Sequence, residues 1–309
     1  MTRYIAFCRI MELGSFTRAA ESLGYTQAAI SQMIRSLENE FSMTLLVRTR
    51  SGVKLTPEGK KLYPMIRKIV SDQRELTDRV REINGLESGE IRIGTFPSMS
   101  QRVLTRLMRD FSLLYPKARF VLQMGDNSTL PEWIKAGIID FAFIYPEVAA
   151  NLSQITLFRD SFAAAVPEEH PLARYEVIPL AEFSDVPLIL VEEGSINTVL
   201  NALTPRGITP PIPYRIHDDY TILSMIEQGL GVSILPDMIL DRSMYRVCRI
   251  PTDPPIKRTI SLAYSDQAML PVATKHFIRF LLEKLPEYMQ EDYTEILYTP
   301  EEIKAFTDP

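Results

Sequence analysis

The chain has 309 residues, a formal charge of −5 and 46% hydrophobic residues, the make-up of a globular protein of two or three domains rather than of a disordered or fibrous one. Two cysteines exclude a disulfide-built scaffold, and no apolar run approaches the ~20 residues that span a bilayer. The N-terminus lacks the charged region, apolar core and cleavage site of a signal peptide, so a cytoplasmic protein is expected. The spacing predicts a first helix over about 5–13, with Ile5, Phe7, Cys8, Met11 and Leu13 making an apolar face and Gly14 stopping it. Thr17 is expected to cap a second helix over 18–23, closed by Gly24.

Thr26 caps a third helix, because its hydroxyl can accept from an amide of the first turn. There Ile30, Met33, Ile34, Leu37 and Phe41 recur at helical spacing and form one buried stripe. The opposite face presents Gln27, Ala28, Ser31, Gln32, Arg35 and Asn39. Gln and Arg can make paired hydrogen bonds to base edges, while Ser and Ala allow close approach. Most amphipathic helices show water a face of this kind, so its neighbours decide the reading. Residues 45–48 and 53–55 are strand-like around a Ser51-Gly52 turn, and Arg48, Thr49, Arg50 and Lys54 gather there at phosphate-binding positions.

The segment 16–59 resembles the winged helix-turn-helix of the LysR-type transcriptional regulators, through SFTRAAESLG, TQAAISQMIRSLENEF, VRTR and LTPEG; the length and layout of the remainder agree. That family usually has Gly where this chain has Ser42, and Phe where it has Leu46. The resemblance implies a regulator that binds double-stranded promoter DNA as a homodimer or homotetramer and answers to a small-molecule effector, with RNA polymerase a candidate further partner.

Thr56-Pro57-Glu58 opens a fourth helix with a cap, a tolerated first-position proline and a favourable acid. Leu62, Ile66, Ile69, Gln73, Leu76, Val80 and Ile83 then alternate spacings of four and three, a heptad seam suited to dimerisation; packing against the chain's own head is the competing reading. Residues 1–90 carry 14 Lys+Arg against 11 Asp+Glu and the remainder 20 against 28, so a mildly basic head precedes an acidic body.

Beyond a hinge at 86–90 the chain alternates strands and helices. IRIGTF is followed by a helix over 100–115, with Val103, Leu104, Leu107, Met108, Phe111 and Leu114 inward, then FVLQM, a short helix and FAFIY. This rhythm implies a mainly parallel sheet covered on both faces. The expected fold class is α/β: a winged helix-turn-helix (1–58), a linker helix (59–85), the hinge and a two-lobed effector domain (91–287) like that of periplasmic solute-binding proteins. Lobe 1 is expected at about 91–161 and 265–287 and lobe 2 at about 162–264, with an acidic tail at 288–309.

Ligands of such folds bind where strand ends and helix N-termini converge, which favours an anionic effector. Candidate effector-binding residues are Pro97, Ser98, Met99, Ser100, Asn127, Ser128 and Thr129 on one wall, and Gly194, Ser195, Asp219, Tyr220 and Thr221 on the other. Ser100, Ser195 and Thr221 also suit plain helix caps. No catalytic triad, phosphate-cradling loop or metal cluster is legible. His170, His217 and His276 are scattered, and Glu192 and Glu193, adjacent on a strand end, should face opposite ways. No enzyme, cofactor or metal is therefore expected. A peroxide sensor would want two cysteines in the regulatory half, which holds Cys248 alone. A transport solute-binding protein is the alternative; it explains the lobes but not the first 85 residues.

Overall fold

The computed structural model describes all residues except 50–51, 84–88, 242–243, 290–293, 305 and 307–309. Arg50, Ser51 and the hinge positions 86–88 thus fall outside the described residues, as does the side chain of Ile83. Two compact units separate, residues 1–86 with 136–138 and residues 87–135 with 139–309.

In the first unit, α1 (Thr2–Leu13), α2 (Phe16–Leu23) and α3 (Gln27–Phe41) enclose Phe7, Ile10, Ala19, Ile30 and Leu37, all fully buried. Ser15, not Thr17, caps α2: its side chain accepts from the Arg18 amide and the helix starts two residues earlier than expected. Thr26 caps α3 by accepting from the Ala29 amide at 3.2 Å. The helix ends at Ser42, a non-glycine residue in the left-handed region (φ 51, ψ 36).

The wing is a hairpin of β1 (Leu46–Thr49) and β2 (Gly52–Leu55), with Leu46 opposite Leu55 and Thr49 opposite Gly52. Its root is tied to α3, since the Leu45 and Leu46 amides both donate to Glu38 Oε1, at 2.7 and 3.1 Å. Thr56 caps α4 (Pro57–Ile83) by accepting from the Gly59 amide at 2.9 Å. Gly59 has no substitute there, because a Cβ would lie 2.3 Å from the Leu45 carbonyl oxygen.

The seam proposed for α4 divides. Ile66 is 3% exposed and Leu62 packs beside it in the head core, while Ile69, Leu76 and Val80 stand exposed together with Met65. The near half of the stripe therefore serves the head and the far half faces outward.

The second unit is built on a mixed sheet. In the first lobe β3 (Glu90–Thr95) pairs in parallel with β4 (Arg119–Met124) and β5 (Phe141–Ile144). A helix over 97–114, α5, contains a π-helical turn at Ser100–Leu104, and α6 (Thr129–Lys135) follows β4. Val103, Leu104, Leu107 and Phe111 face the core, whereas Leu114, expected inward, is 63% exposed in the last turn of the helix.

β6 (Ser153–Pro167) crosses both lobes: residues 153–161 pair with β12 (Lys257–Tyr264), and residues 162–167 pair with β10 (Ser233–Pro236) and β11 (Val247–Asp253). These crossing strands are antiparallel, so the sheet is mixed rather than mainly parallel. β12 also pairs with β5, which places 257–264 in the first lobe's sheet and ends lobe 2 near 256 rather than at 264. The partners of a strand, not its own residues, decide to which lobe's sheet it belongs, and these partners lie far away in the chain.

Lobe 2 adds β7 (Ile178–Pro179), β8 (Ile189–Val191), α7 (Thr198–Leu203), β9 (Tyr214–Ile216), α8 (Asp219–Glu227) and α9 (Asp237–Leu240). α10 (Val272–Tyr288) returns to lobe 1, where Phe277 meets Phe111, Phe120 and Phe141. The acidic tail is not merely solvated. β13 (Thr294–Ile296) pairs with β6 opposite residues 158–160, Tyr298 donates to the Leu282 carbonyl, α11 (Pro300–Lys304) follows, and Phe306 is buried against Tyr264.

Candidate functional site

Two sites are legible, one in each unit. On α3, Gln27, Ala28, Gln32 and Arg35 are exposed and Ser31 is half-buried. Gln27 donates to Ser31 Oγ at 3.0 Å, and Arg48 of the wing reaches the same hydroxyl at 3.4 Å while its guanidinium lies 4.4 Å over the Phe16 ring. The ring and hydroxyl orient Arg48, so helix and wing form one polar surface. Thr49 donates to the Gly52 carbonyl and Lys54 is exposed. This surface pairs hydrogen-bonding groups suited to base edges with flanking cations suited to phosphates.

The second site is a cavity of about 400 Å³ walled by both lobes. Lobe 1 supplies Phe96, Pro97, Ser98, Met124, Gly125, Asp126, Asn127, Thr129, Trp133 and Tyr145; lobe 2 and the crossing strands supply Val191, Glu192, Glu193, His217, Asp219, Pro236 and Arg258. Of the residues expected from sequence, Pro97, Ser98, Asn127, Thr129 and Asp219 line it.

The others are nearby with different tasks. Met99 is fully buried in the core and the Ser100 hydroxyl donates back to the Phe96 and Pro97 carbonyls. Ser128 is exposed, and Tyr220 bonds Gln101 outside the cavity. Thr221 is itself capped, donating its amide and hydroxyl to Asp218. Gly194 and Ser195 close the rim: Ser195 donates to the Asn127 carbonyl, and the Asn127 amide to the Glu193 carbonyl. At Gly194 (φ +86) a Cβ would lie 2.9 Å from the Ser128 nitrogen, so only glycine permits this approach of the lobes.

At the cavity floor Arg258 is buried between the Phe96 and Phe162 rings. Its Nε donates to Asp160 Oδ1 at 2.7 Å and one terminal nitrogen to Asp160 Oδ2 at 3.0 Å and Ser98 Oγ at 2.9 Å. Burial works against the guanidinium charge, yet Asp160 and Tyr145 outweigh it and hold Arg258 above its ordinary value. Burial also pushes Tyr145 up, and its hydroxyl donates to Glu193, which in turn accepts from the Thr198 amide at 2.8 Å. Glu192 pairs with Arg215. Both glutamates border the cavity, since they lie past the end of β8, where strict alternation lapses.

Asp126 accepts from the Ser128 and Thr129 amides, and although burial opposes it these bonds hold the acid below its ordinary range. Asp219 is different: burial drives its carboxyl up from 3.8 to about 7, against the pull of Arg258. The sequence reading did not include Arg258, Asp160, Tyr145, Trp133 or Glu193 among the wall residues, although Trp133 is the chain's single tryptophan.

A head with a groove-sized polar helix and cationic wing, together with a separate two-lobed domain enclosing a ligand-sized cavity, defines a one-component transcription regulator. Residues 1–60 match the profile of the bacterial regulatory helix-turn-helix proteins of the lysR family, and residues 84–286 that of the LysR substrate binding domain. The chain belongs to the LysR family of DNA-binding transcriptional regulators.

It is 30% identical to the uncharacterized HTH-type transcriptional regulator YvbU of Bacillus subtilis, over 92% of this chain and 98% of that one. Its fold is shared with a full-length OxyR variant from Pseudomonas aeruginosa (TM-score 0.69, 21% identity, 97% of this chain and 98% of that one). It is also shared with full-length CbnR crystallised with its target DNA (TM-score 0.65, 21% identity, 91% and 98%). The family is one of regulators rather than enzymes or transport receptors, and no described helix is long and apolar enough to cross a membrane.

Proposed function

We propose that a small effector bound in the interlobe cavity sets the closure of the two lobes and thereby the spacing of paired DNA-reading heads. The observation that carries this reading is a cavity walled by both lobes, with Asn127 of one bonded to Glu193 and Ser195 of the other across its rim. A ligand touching both walls is worth more to the closed arrangement than to an open one, and that difference is all a population shift requires. Pro97, Ser98, Asn127, Thr129 and Asp219 act here, joined by Trp133, Tyr145, Glu193 and Arg258.

On DNA, Gln27, Ala28, Ser31, Gln32 and Arg35 read base edges, while Arg48, Thr49, Arg50 and Lys54 hold phosphates. Self-association uses the outward half of α4, where Ile69, Leu76 and Val80 would otherwise leave an apolar strip in water. A protein acting on promoter DNA in this way works in the cytoplasm. Met124, at 51% exposure on the cavity wall, offers the test. Met124→Trp occupies the cavity without disturbing the core, and is expected to change the operator footprint in the absence of any ligand. A footprint and affinity identical to the parent's would refute the coupling.

A further inference from the structure

We propose that the interlobe cavity takes an organic amine, its protonated amino group docked on the Asp219 carboxylate and its apolar or aromatic body lying among Phe96, Trp133 and Pro236. The proposal rests on the reading of this cavity as the effector site and names the chemical class of the effector.

Four carboxylates border the cavity, Asp126, Glu192, Glu193 and Asp219, against one guanidinium, that of Arg258. They are not equivalent. Glu192 is matched by Arg215 at 3.0 Å. Glu193 accepts from Tyr145 and the Thr198 amide, and Asp126 from the amides of its own turn. Arg258 is committed to Asp160 and Ser98. Asp219 is 7% exposed and lines the cavity; no side chain or amide among the described residues donates to its carboxylate, whose oxygens open onto the cavity rather than being sealed in the core. A buried acid left without a donor is costly, and a ligand that brings one relieves the cost.

The remaining chemistry narrows the class. An anion would be repelled by the Asp219 carboxylate, while the guanidinium of Arg258 is already bonded, which outweighs the helix-end preference expected from sequence. Among the described residues no three His, Cys, Asp or Glu side chains are placed to hold a metal ion, so a bare divalent cation lacks its ligand set. Phe96, Met124, Trp133, Val191 and Pro236 give the cavity an apolar lining that suits a hydrocarbon body, and an indole face attracts a cation.

The single tryptophan makes the test direct, because the fluorescence of Trp133 in the full-length protein reports on this cavity alone. Phenethylamine, phenethyl alcohol and phenylpropionate share a body and differ in charge. The amine is expected to give a saturable change, the alcohol to bind roughly tenfold to a hundredfold more weakly, and the carboxylate to give none. Asp219→Asn should lower amine affinity to the level of the alcohol, and Asp219→Glu should restore part of it.

Phenylpropionate binding as tightly as the amine, an amine affinity unchanged in Asp219→Asn, or no saturable response to the amine would each overturn the proposal. A response to phenylpropionate alone removes the amine and keeps the cavity as an effector site. Silence to all three probes, with a footprint unmoved by Met124→Trp, removes both.

Discussion

Asp219→Asn should make this protein more stable, and by an amount that depends on pH. Burial raises the Asp219 carboxyl from 3.8 to about 7, with Arg258 opposing and Glu193 and Asp218 reinforcing that rise. A carboxyl whose folded value lies above its unfolded one is bound more tightly to its proton in the folded state. The contribution of this group to stability is therefore greatest below about pH 4 and is lost as pH rises towards 7. Three units at ~1.4 kcal/mol each come to about 4 kcal/mol by pH 8, and about 2 kcal/mol of that is already lost at pH 5.

Asn keeps the shape and cannot ionise. Parent and variant should thus melt together near pH 3.5 and diverge through pH 5 to 7, reaching a gap on the order of 10 °C at pH 8. Trp133 lies in the same unit as Asp219, so the melting of that unit can be followed by its fluorescence over this pH series. A gap constant across pH, or a variant less stable than the parent at pH 8, would refute the assignment of the cost to an unmatched buried charge. The same result bears on function, since a residue that lowers stability in the empty protein is retained for something other than folding.

Two further expectations concern the head. Ser42→Gly should raise its stability by about 1 kcal/mol, because Ser42 occupies the left-handed region at φ 51; far-ultraviolet circular dichroism of the melt checks it. Gln32→Ala or Arg35→Ala should relax sequence preference at single operator positions by ~1–3 kcal/mol, whereas Arg48→Ala or Lys54→Ala should weaken all sequences alike and flatten the dependence on salt. Binding titrations against matched and mismatched duplexes at two ionic strengths separate the two classes.

Much of the head was legible because its signals are local. A cap at Thr26, a stripe from Ile30 to Phe41 and a turn between two short apolar runs each lie within a few residues of what they specify. The second unit was legible as a rhythm of strands and helices, but its cavity was not. Arg258 and Asp160 are 98 residues apart in the chain and meet only because β6 and β12 pair in the first lobe's sheet. Asp219 is expected from sequence on the cavity wall and lines it, but the want of a donor at its carboxylate depends on which groups reach it from other elements.

The acidic composition of the tail gives no sign of its packing. Its acids outnumber its bases, but Ile296, Tyr298, Ile303 and Phe306 recur between them and pack into the lobe 1 core. Charge count hid an apolar pattern that spacing would have revealed.

That tail has a practical consequence. Asp160, the anchor of the cavity's guanidinium, lies mid-strand, with Arg258 opposite it on β12 and Thr294 opposite it on β13. The segment around Thr294 is thus a splint along the backbone that carries the ion pair. Trimming it to help crystals grow, or threading an affinity label through it, would loosen the floor of the chamber without altering any residue on its walls.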